Sequence, residues 1–228
     1  MATAIKIDFV SDISCPWCAI GLAALEQALA HLGDEVAAEL RFQPFELNPG
    51  MPPGGQDINE HLTQKYGSTP AQQGQIRDLI RARGAELGFV FRREGRDRIY
   101  NTFDAHRLLH WAGLPDTRPA GLQLALKKAL LTAYFSRGES PAAHQVLARA
   151  CAEVGLDAAR AREILSGDDY AAAVREQESY YQAAGIHSVP AVIVNDRHLI
   201  SGGQPVEVFE RALRQIALEH GKGGPEPA

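Results

Sequence analysis

Residues 5–10, Ile-Lys-Ile-Asp-Phe-Val, alternate apolar and polar and then turn wholly apolar, the pattern of a central strand. Ser11 to Ser14 reads as a short loop. From Pro16 to about Leu32 the period becomes helical, with Ile20, Leu22, Leu25, Leu29 and Leu32 on one broad face, until Gly33 and Asp34 stop it. A second strand is expected over about Glu35–Gln43. The Pro- and Gly-rich stretch Asn48 to Gln56 then marks a loop and a boundary. From about Ile58 to Ala184 nearly everything carries helical period. Pro70 opens one helix, Asn101 caps another reaching about Ala112, and Thr117 precedes a long one through about Ser136. Ser140-Pro141 is a cap-plus-first-turn signal and Asp157 a further cap, and a last helix of this block spans about Asp169–Ala184. Strand pattern returns only at Ala191–Asn195. Asn195-Asp196-Arg197 reads as a turn into a short partner strand, His198–Ser201, and Pro205 to about His220 is a final amphipathic helix.

The predicted order is strand-helix-strand, a large helical block, then strand-strand-helix. Neither outer piece can bury a sheet alone, so the two should pack into one α/β layer with the middle as an insertion. The expected division is 1–47 and 186–220 for the α/β part, 48–185 for the helical insertion, and 221–228 as a disordered Gly/Pro-rich tail.

Composition narrows the function classes. Among 228 residues, 23 are basic and 28 acidic, for a formal net charge of -5, and no basic block stands out. A nucleic-acid or acidic-lipid surface is therefore not expected. No apolar run approaches the roughly 20 residues of a membrane helix; the best candidate, Leu122 to Phe135, is split by Lys127-Lys128. The first ten residues lack the apolar core of a secretory leader. The expectation is a soluble, cytoplasmic protein, with a periplasmic one left open if a leader has been trimmed.

Three cysteines are too few, and too odd in number, for a disulfide scaffold. Two of them make Cys15-Pro16-Trp17-Cys18, directly after the first strand. Cys15 falls at the helix N-cap and Pro16 at the first helical position, where a missing N–H costs nothing. Free backbone N–H groups and the helix dipole favour negative charge on Cys15, and the thiolate is the species that attacks disulfides. Three-residue spacing sets Cys18 one turn along the same face. Cys15 is thus the candidate nucleophile and Cys18 the resolving thiol, with Pro16 and Trp17 shaping a partly exposed contact surface. Half of a zinc site is the main competitor, but no second such pair exists to complete four ligands, so no metal is expected. Cys151, among small residues of a helix, reads as a buried filler.

Ser188-Val189-Pro190 stands directly before the Ala191 strand. An X-Pro bond there can be cis, and the proline leaves the carbonyl and amide of Val189 free for an extended partner chain. The plain alternative is a proline that merely starts a strand.

With these features the chain resembles the DsbA-like thioredoxin-fold family, and within it the FrnE-like oxidoreductases. The carrying segments are Asp12-Ile13-Ser14-Cys15-Pro16-Trp17-Cys18-Ala19-Ile20-Gly21, Pro44-Phe45-Glu46-Leu47-Asn48-Pro49, Asn101-Thr102-Phe103-Asp104-Ala105-His106-Arg107-Leu108, and Ser201-Gly202-Gly203-Gln204-Pro205. The resemblance implies a thioredoxin-like fold with a large all-helical insertion lying over the active site, a cis-proline at Pro190, and Asn101 and His106 brought near the thiols. Substrate contact is expected at Pro16, Trp17, Val189, Pro190, Asn101 and His106. From its residues alone, His106 is as easily read as an ordinary core or surface histidine.

The expected activity is dithiol–disulfide exchange with thiol or disulfide partners, proteins or small molecules. It needs no bound cofactor beyond its own thiols, though glutathione fits as a reductant. The same scaffold also serves glutathione-dependent enzymes of the 2-hydroxychromene-2-carboxylate isomerase and kappa-class transferase type. There a serine usually takes the first cysteine position, and this sequence departs by having both Cys15 and Cys18. That chemistry, on a small aromatic or polyketide-like substrate, is the alternative; a chaperone-like binder with incidental cysteines is a third reading. A homodimer is expected only by analogy with some relatives.

Overall fold

The computed structural model describes residues 2–52, 54–117 and 119–222, with side chains through 219. The chain opens with β1 (Thr3–Ser11), α1 (Pro16–Leu32), a 3₁₀ turn (Gly33–Glu35) and β2 (Val36–Pro44). It continues through β3 (Gln56–Asp57), α2 (Ile58–Tyr66), α3 (Pro70–Glu86), β4 (Arg98–Ile99), α4 (Phe103–Ala112) and α5 (Leu122–Phe135). Then come α6 (His144–Glu153), α7 (Ala158–Ser166), α8 (Ala171–Ala183), β5 (Ala191–Val194), β6 (His198–Ser201) and α9 (Val206–Lys222).

The main sheet has the order β2-β1-β5-β6. β1 and β2 run parallel with Phe9 opposite Phe42, as a strand-helix-strand crossover requires, while β5 lies antiparallel to β1 with Val10 opposite Ala191. Central placement makes β1 apolar on both sides from Ile7 to Val10, apart from Asp8. On one face Ile5, Ile7 and Phe9 join Leu22 and Leu25 of α1 and Phe209 and Leu213 of α9 in the principal core. On the other, Val10, Phe45 and Ala191 meet Tyr181 of α8. Asn195 and Asp196 both take positive φ (51° and 55°) in the three-residue connection, Asn195 to Arg197, that joins β5 to β6. The Asn195 side chain accepts from the Lys6 amide at 2.9 Å, fixing that turn to β1.

Several expected boundaries shift, each for a local reason. The long helix starts at Leu122 rather than after Thr117. Pro119 disfavours helix just before it, Gly121 holds the N-cap at φ 87°, and the Thr117 hydroxyl donates to the Trp111 carbonyl instead. Ser140-Pro141 opens a turn, with the Ser140 hydroxyl accepting from the Ala142 amide, and α6 begins only at His144. The last helix of the block begins at Ala171 because Tyr170 adopts a left-handed conformation at its N-cap. The two-residue ladder of β3 with β4 interrupts the block where a purely helical reading had none. Such short strands carry too little period to show in sequence. Helix α9 runs through Lys222, so Gly221 and Lys222 do not begin the expected disordered tail; no proline intervenes before Pro225. The rest of that tail, 223–228, lies outside the described residues.

Candidate active site

Strand β1 ends in the middle of the sheet, and the chain turns through Asp12, Ile13 and Ser14 before α1 begins. Cys15 is the N-cap of α1 (φ -93°, ψ 112°) with Pro16 in the first turn. No side chain caps this helix, so its first amides are left for the Cys15 sulfur. Cys15 is 4% exposed and Cys18, one turn deeper, is 0%, while Pro16 and Trp17 are half-buried at the opening. Both cysteines are buried, and the half-buried Pro16 and Trp17 lie between them and the surface.

The Val189–Pro190 peptide bond is cis, and the Val189 carbonyl lies 3.5 Å from Cys15 Sγ. Two glycines permit this approach. A Cβ on Gly21 would fall 3.1 Å from both Pro190 Cγ and Gly203 Cα, and one on Gly203 would fall 2.9 Å from the Trp17 carbonyl oxygen. Helix α1 thus rests directly on the Pro190 and Gly202-Gly203 loops.

Electrostatics separates the two thiols further. The Cys15 thiol is held below its ordinary value, first by a hydrogen bond from the Cys18 thiol and then by the amides of Cys18 and Trp17, against burial and the Asp12 charge. Cys18 is pushed well above the usual thiol range, by burial first and by the neighbouring Cys15.

Beneath the pair lies a buried carboxylate. Asp12, 0% exposed, accepts from the Ser14 amide (3.1 Å), the Ser14 hydroxyl (2.7 Å), the Leu47 amide (2.7 Å) and the Thr102 hydroxyl (2.7 Å). His106 Nε2 stands 3.5 Å from Asp12 Oδ1. Although burial opposes it, the nearby His106 first, and then the Leu47 amide and the Ser14 side chain, keep the Asp12 carboxyl far below the usual carboxylate range. Arg96 closes the site from above: it donates to the Ser14 carbonyl at 2.7 Å while its guanidinium lies 5.2 Å from the Phe135 ring centroid.

The predicted residues are therefore distributed unevenly. Cys15, Pro16, Trp17, Cys18, Val189 and Pro190 converge. His106 reaches the site through Asp12. The Asn101 amide bonds Glu46 (3.1 Å) and the Pro49 carbonyl (3.4 Å) rather than sulfur, and its carbonyl accepts from the Phe103 amide at the start of α4. Glu46 in turn pairs with Arg175. Cys151 is 0% exposed and far up its titration range, pushed to about 12 by burial. Among the described residues no cluster of three or more His, Cys, Asp or Glu side chains is arranged to hold a metal ion. Asp12, Thr102, Arg96 and Lys127 escape residue-by-residue reading. The one signal for Lys127 is a charge at an apolar position of the α5 pattern.

A family model described as the DSBA-like thioredoxin domain matches residues 6–214. The chain belongs to the DSBA-like thioredoxin domain family. Like other members of this family of thiol oxidoreductases, it resembles a probable DsbA oxidoreductase from Streptomyces coelicolor. That structure is 34% identical, with a TM-score of 0.87 over 98% of this chain and 93% of that one. An uncharacterized protein, YwbO of Bacillus subtilis, is 27% identical over 212 residues, 92% of this chain and 96% of that protein. The cytosolic disulfide reductase DsbM of Pseudomonas aeruginosa, solved with GSH, shares the fold at 18% identity. Its TM-score is 0.64, covering 92% of this chain and 98% of that one. Among the described residues, no helix of this family member is long and apolar enough to cross a membrane.

Proposed function

We propose that this protein is a thiol–disulfide oxidoreductase in which Cys15 is the nucleophile and Cys18 the resolving thiol. The observation that carries the reading is the asymmetry of the pair. A buried cysteine at the helix N-cap, its thiol lowered and set beside the Val189 carbonyl, stands ahead of a fully buried cysteine one helical turn away whose thiol is raised. Cys15 attacks a disulfide as the thiolate and breaks its S–S bond: one sulfur joins Cys15 in a mixed disulfide, and the other is released as a thiolate. Cys18 then bonds to Cys15 Sγ, and the partner leaves as a thiolate that takes up a proton. The Val189 carbonyl and Trp17 would bind the partner chain beside the sulfur, the former by backbone hydrogen bonding. Asn101 and His106 act more remotely in this reading, through Glu46 and Asp12.

The same proposal treats 1–47 and 186–220 as the thiol-bearing part and 48–185 as the helical part that covers it. Its partners are protein or small-molecule thiols and disulfides in a cytoplasmic pool, with glutathione as a reductant and no bound cofactor. The fold shared with a 2-hydroxychromene-2-carboxylate isomerase, at 13% identity and a TM-score of 0.70, supports a second reading, a glutathione-dependent isomerase or transferase. A sealed resolving cysteine beside the nucleophile favours the first, since a transferase has no use for it.

Equilibrating the purified protein across glutathione buffers and trapping free thiols by alkylation tests the choice. The expected result is one two-electron transition confined to Cys15 and Cys18. A glutathione adduct on Cys15 with no intramolecular disulfide would replace the first reading by the second.

A further inference from the structure

The chain buries a lysine that the exchange steps above do not use. Lys127 lies on α5 between the core residues Leu126 and Leu130, is 0% exposed, and its ammonium has no hydrogen-bond partner among the described residues. Its Nζ stands 5.9 Å from the centroid of the Phe42 ring on β2. Lys127 and His106 together line a cavity of about 380 Å³ between β2, α4 and α5, and His106 Nε2 is likewise buried without a hydrogen-bond partner. An unpaired buried ammonium costs several kcal/mol of lost hydration unless other charges compensate.

The compensating charges are those of the thiol site. The charged groups around Lys127 are Cys18, Asp12 and Cys15, whose negative charges act on it, and His106 and His110 of α4 and Glu39 and Arg41 of β2, which line the same cavity. Arg41 and Glu39 pair with each other at 2.6 Å, which leaves Asp12 and the sulfurs as the anions available to Lys127. Its neighbour Lys128 points away, to Glu26. Burial brings Lys127 down to about 8, while the negative charges of Cys18, Asp12 and Cys15 each pull it back up. Of these groups Cys18 keeps its proton in the reduced form and Asp12 keeps its charge in both, so the Cys15 thiolate is the anion that vanishes when the cysteines form a disulfide.

We propose that Lys127 is a positioning residue that holds the counter-charge of the buried dithiol, taking up a proton when the Cys15–Cys18 disulfide is reduced and returning it when the disulfide reforms. The inference rests on the oxidoreductase reading. With two partner thiols as reductant, their two electrons break the Cys15–Cys18 bond and the partners become one disulfide. Of the two protons they give up, one ends on Cys18 Sγ and the other on Lys127 Nζ, leaving Cys15 as the thiolate.

The balance makes a measurable difference. With glutathione as partner, the two thiol protons are matched by two taken up, so the exchange constant of the wild type stays nearly flat above the Cys15 pKa and up to about pH 8, where Lys127 itself gives up its proton. Without Lys127 one proton goes to water, and the constant rises toward tenfold per pH unit. The experiment measures that constant against pH for the full chain and for Lys127→Met, using reduced and oxidised glutathione, alongside the ultraviolet thiolate titration of Cys15. The variant is expected to hold about tenfold less Cys15 thiolate near neutral pH and to show the steep dependence. A steep wild-type dependence, or curves that coincide, would overturn the inference while leaving the oxidoreductase intact. Failure of the wild type to form any Cys15–Cys18 disulfide would overturn both. The wild-type curve decides without the variant, so a poorly folding Lys127→Met does not leave the matter open.

Discussion

Thr102 Oγ1 donates to Asp12 Oδ1 at 2.7 Å, joining the cap of α4 to the loop that presents Cys15 across 90 residues of sequence. Through this contact the helical block reaches beneath the thiols. Asp12 thereby holds the site together and also shapes its charge.

Replacing Asp12 with Asn should cost about 1–3 kcal/mol at neutral pH, because an amide cannot satisfy the same donors. The pH dependence has a definite sign. The folded carboxyl is depressed, so its stabilisation is complete above the unfolded value of about 3.9 and is lost as pH falls toward the folded one. Urea unfolding of wild type and Asp12→Asn should therefore converge below about pH 4. Curves that stay equally far apart in acid would contradict the assignment. Since the Asp12 charge opposes the Cys15 thiolate, the variant should also show a lower Cys15 pKa.

Cys18 assists Cys15 before any exchange occurs. Its thiol is the leading hydrogen-bond donor to the Cys15 sulfur, so Cys18→Ala should raise the Cys15 pKa. Alkylation rates against pH provide the check. In the native wild type Cys15 should react first by a wide margin, with sealed Cys18 and Cys151 silent. Rapid labelling of Cys151 in the folded protein would be incompatible with its burial.

Gly203 is a site where only a missing side chain fits. Its Cβ would sit 2.9 Å from the Trp17 carbonyl, a backbone atom that cannot swing aside. Gly203→Ala should lose about 1–3 kcal/mol and slow disulfide exchange by pushing α1 off the Pro190 loop. Thermal melting and exchange kinetics would register the two effects. An alanine variant as stable and as fast as wild type would show that the contact is not needed.

Lys127 predicts a stability change of unusual direction. Its folded pKa of about 8 lies below the ordinary 10.5, so burying the ammonium destabilises the fold in full below pH 8. That penalty fades as pH rises from 8 through 10.5. At roughly 1.4 kcal/mol per unit, Lys127→Met should stabilise the protein near neutrality by up to about 3 kcal/mol. The gain should shrink in alkali, as denaturant midpoints at pH 7 and pH 10 would reveal. A variant less stable than wild type at pH 7 would mean the ammonium is better solvated than its surroundings suggest.

The Cys15-Pro16-Trp17-Cys18 helix start, the two outer α/β pieces, the Asn195-Asp196 turn and the buried Cys151 were legible in the sequence. Each rests on local chemistry: a cap, a period, two positive-φ residues, a side chain among small neighbours. The helix starts expected after Thr117 and Ser140 fall later because Thr and Ser side chains that can cap helices also close turns, and the one expected near Asp169 falls at Ala171 because Tyr170 is left-handed. Asp12 stood in a recognisable motif, yet its donors Thr102 and Leu47 come from distant segments, and no local pattern forecasts four donors meeting one carboxylate. Asn101 and Lys127 are sharper cases. Asn101 reaches Glu46 instead of the sulfurs, and Lys127 in sequence is only a charge breaking an apolar helix. Sequence alone determined which residues carry reactive groups and which local conformations present them. The tertiary structure decided which of those groups share a low-dielectric interior, where burial and a few ångströms set the charge each one holds.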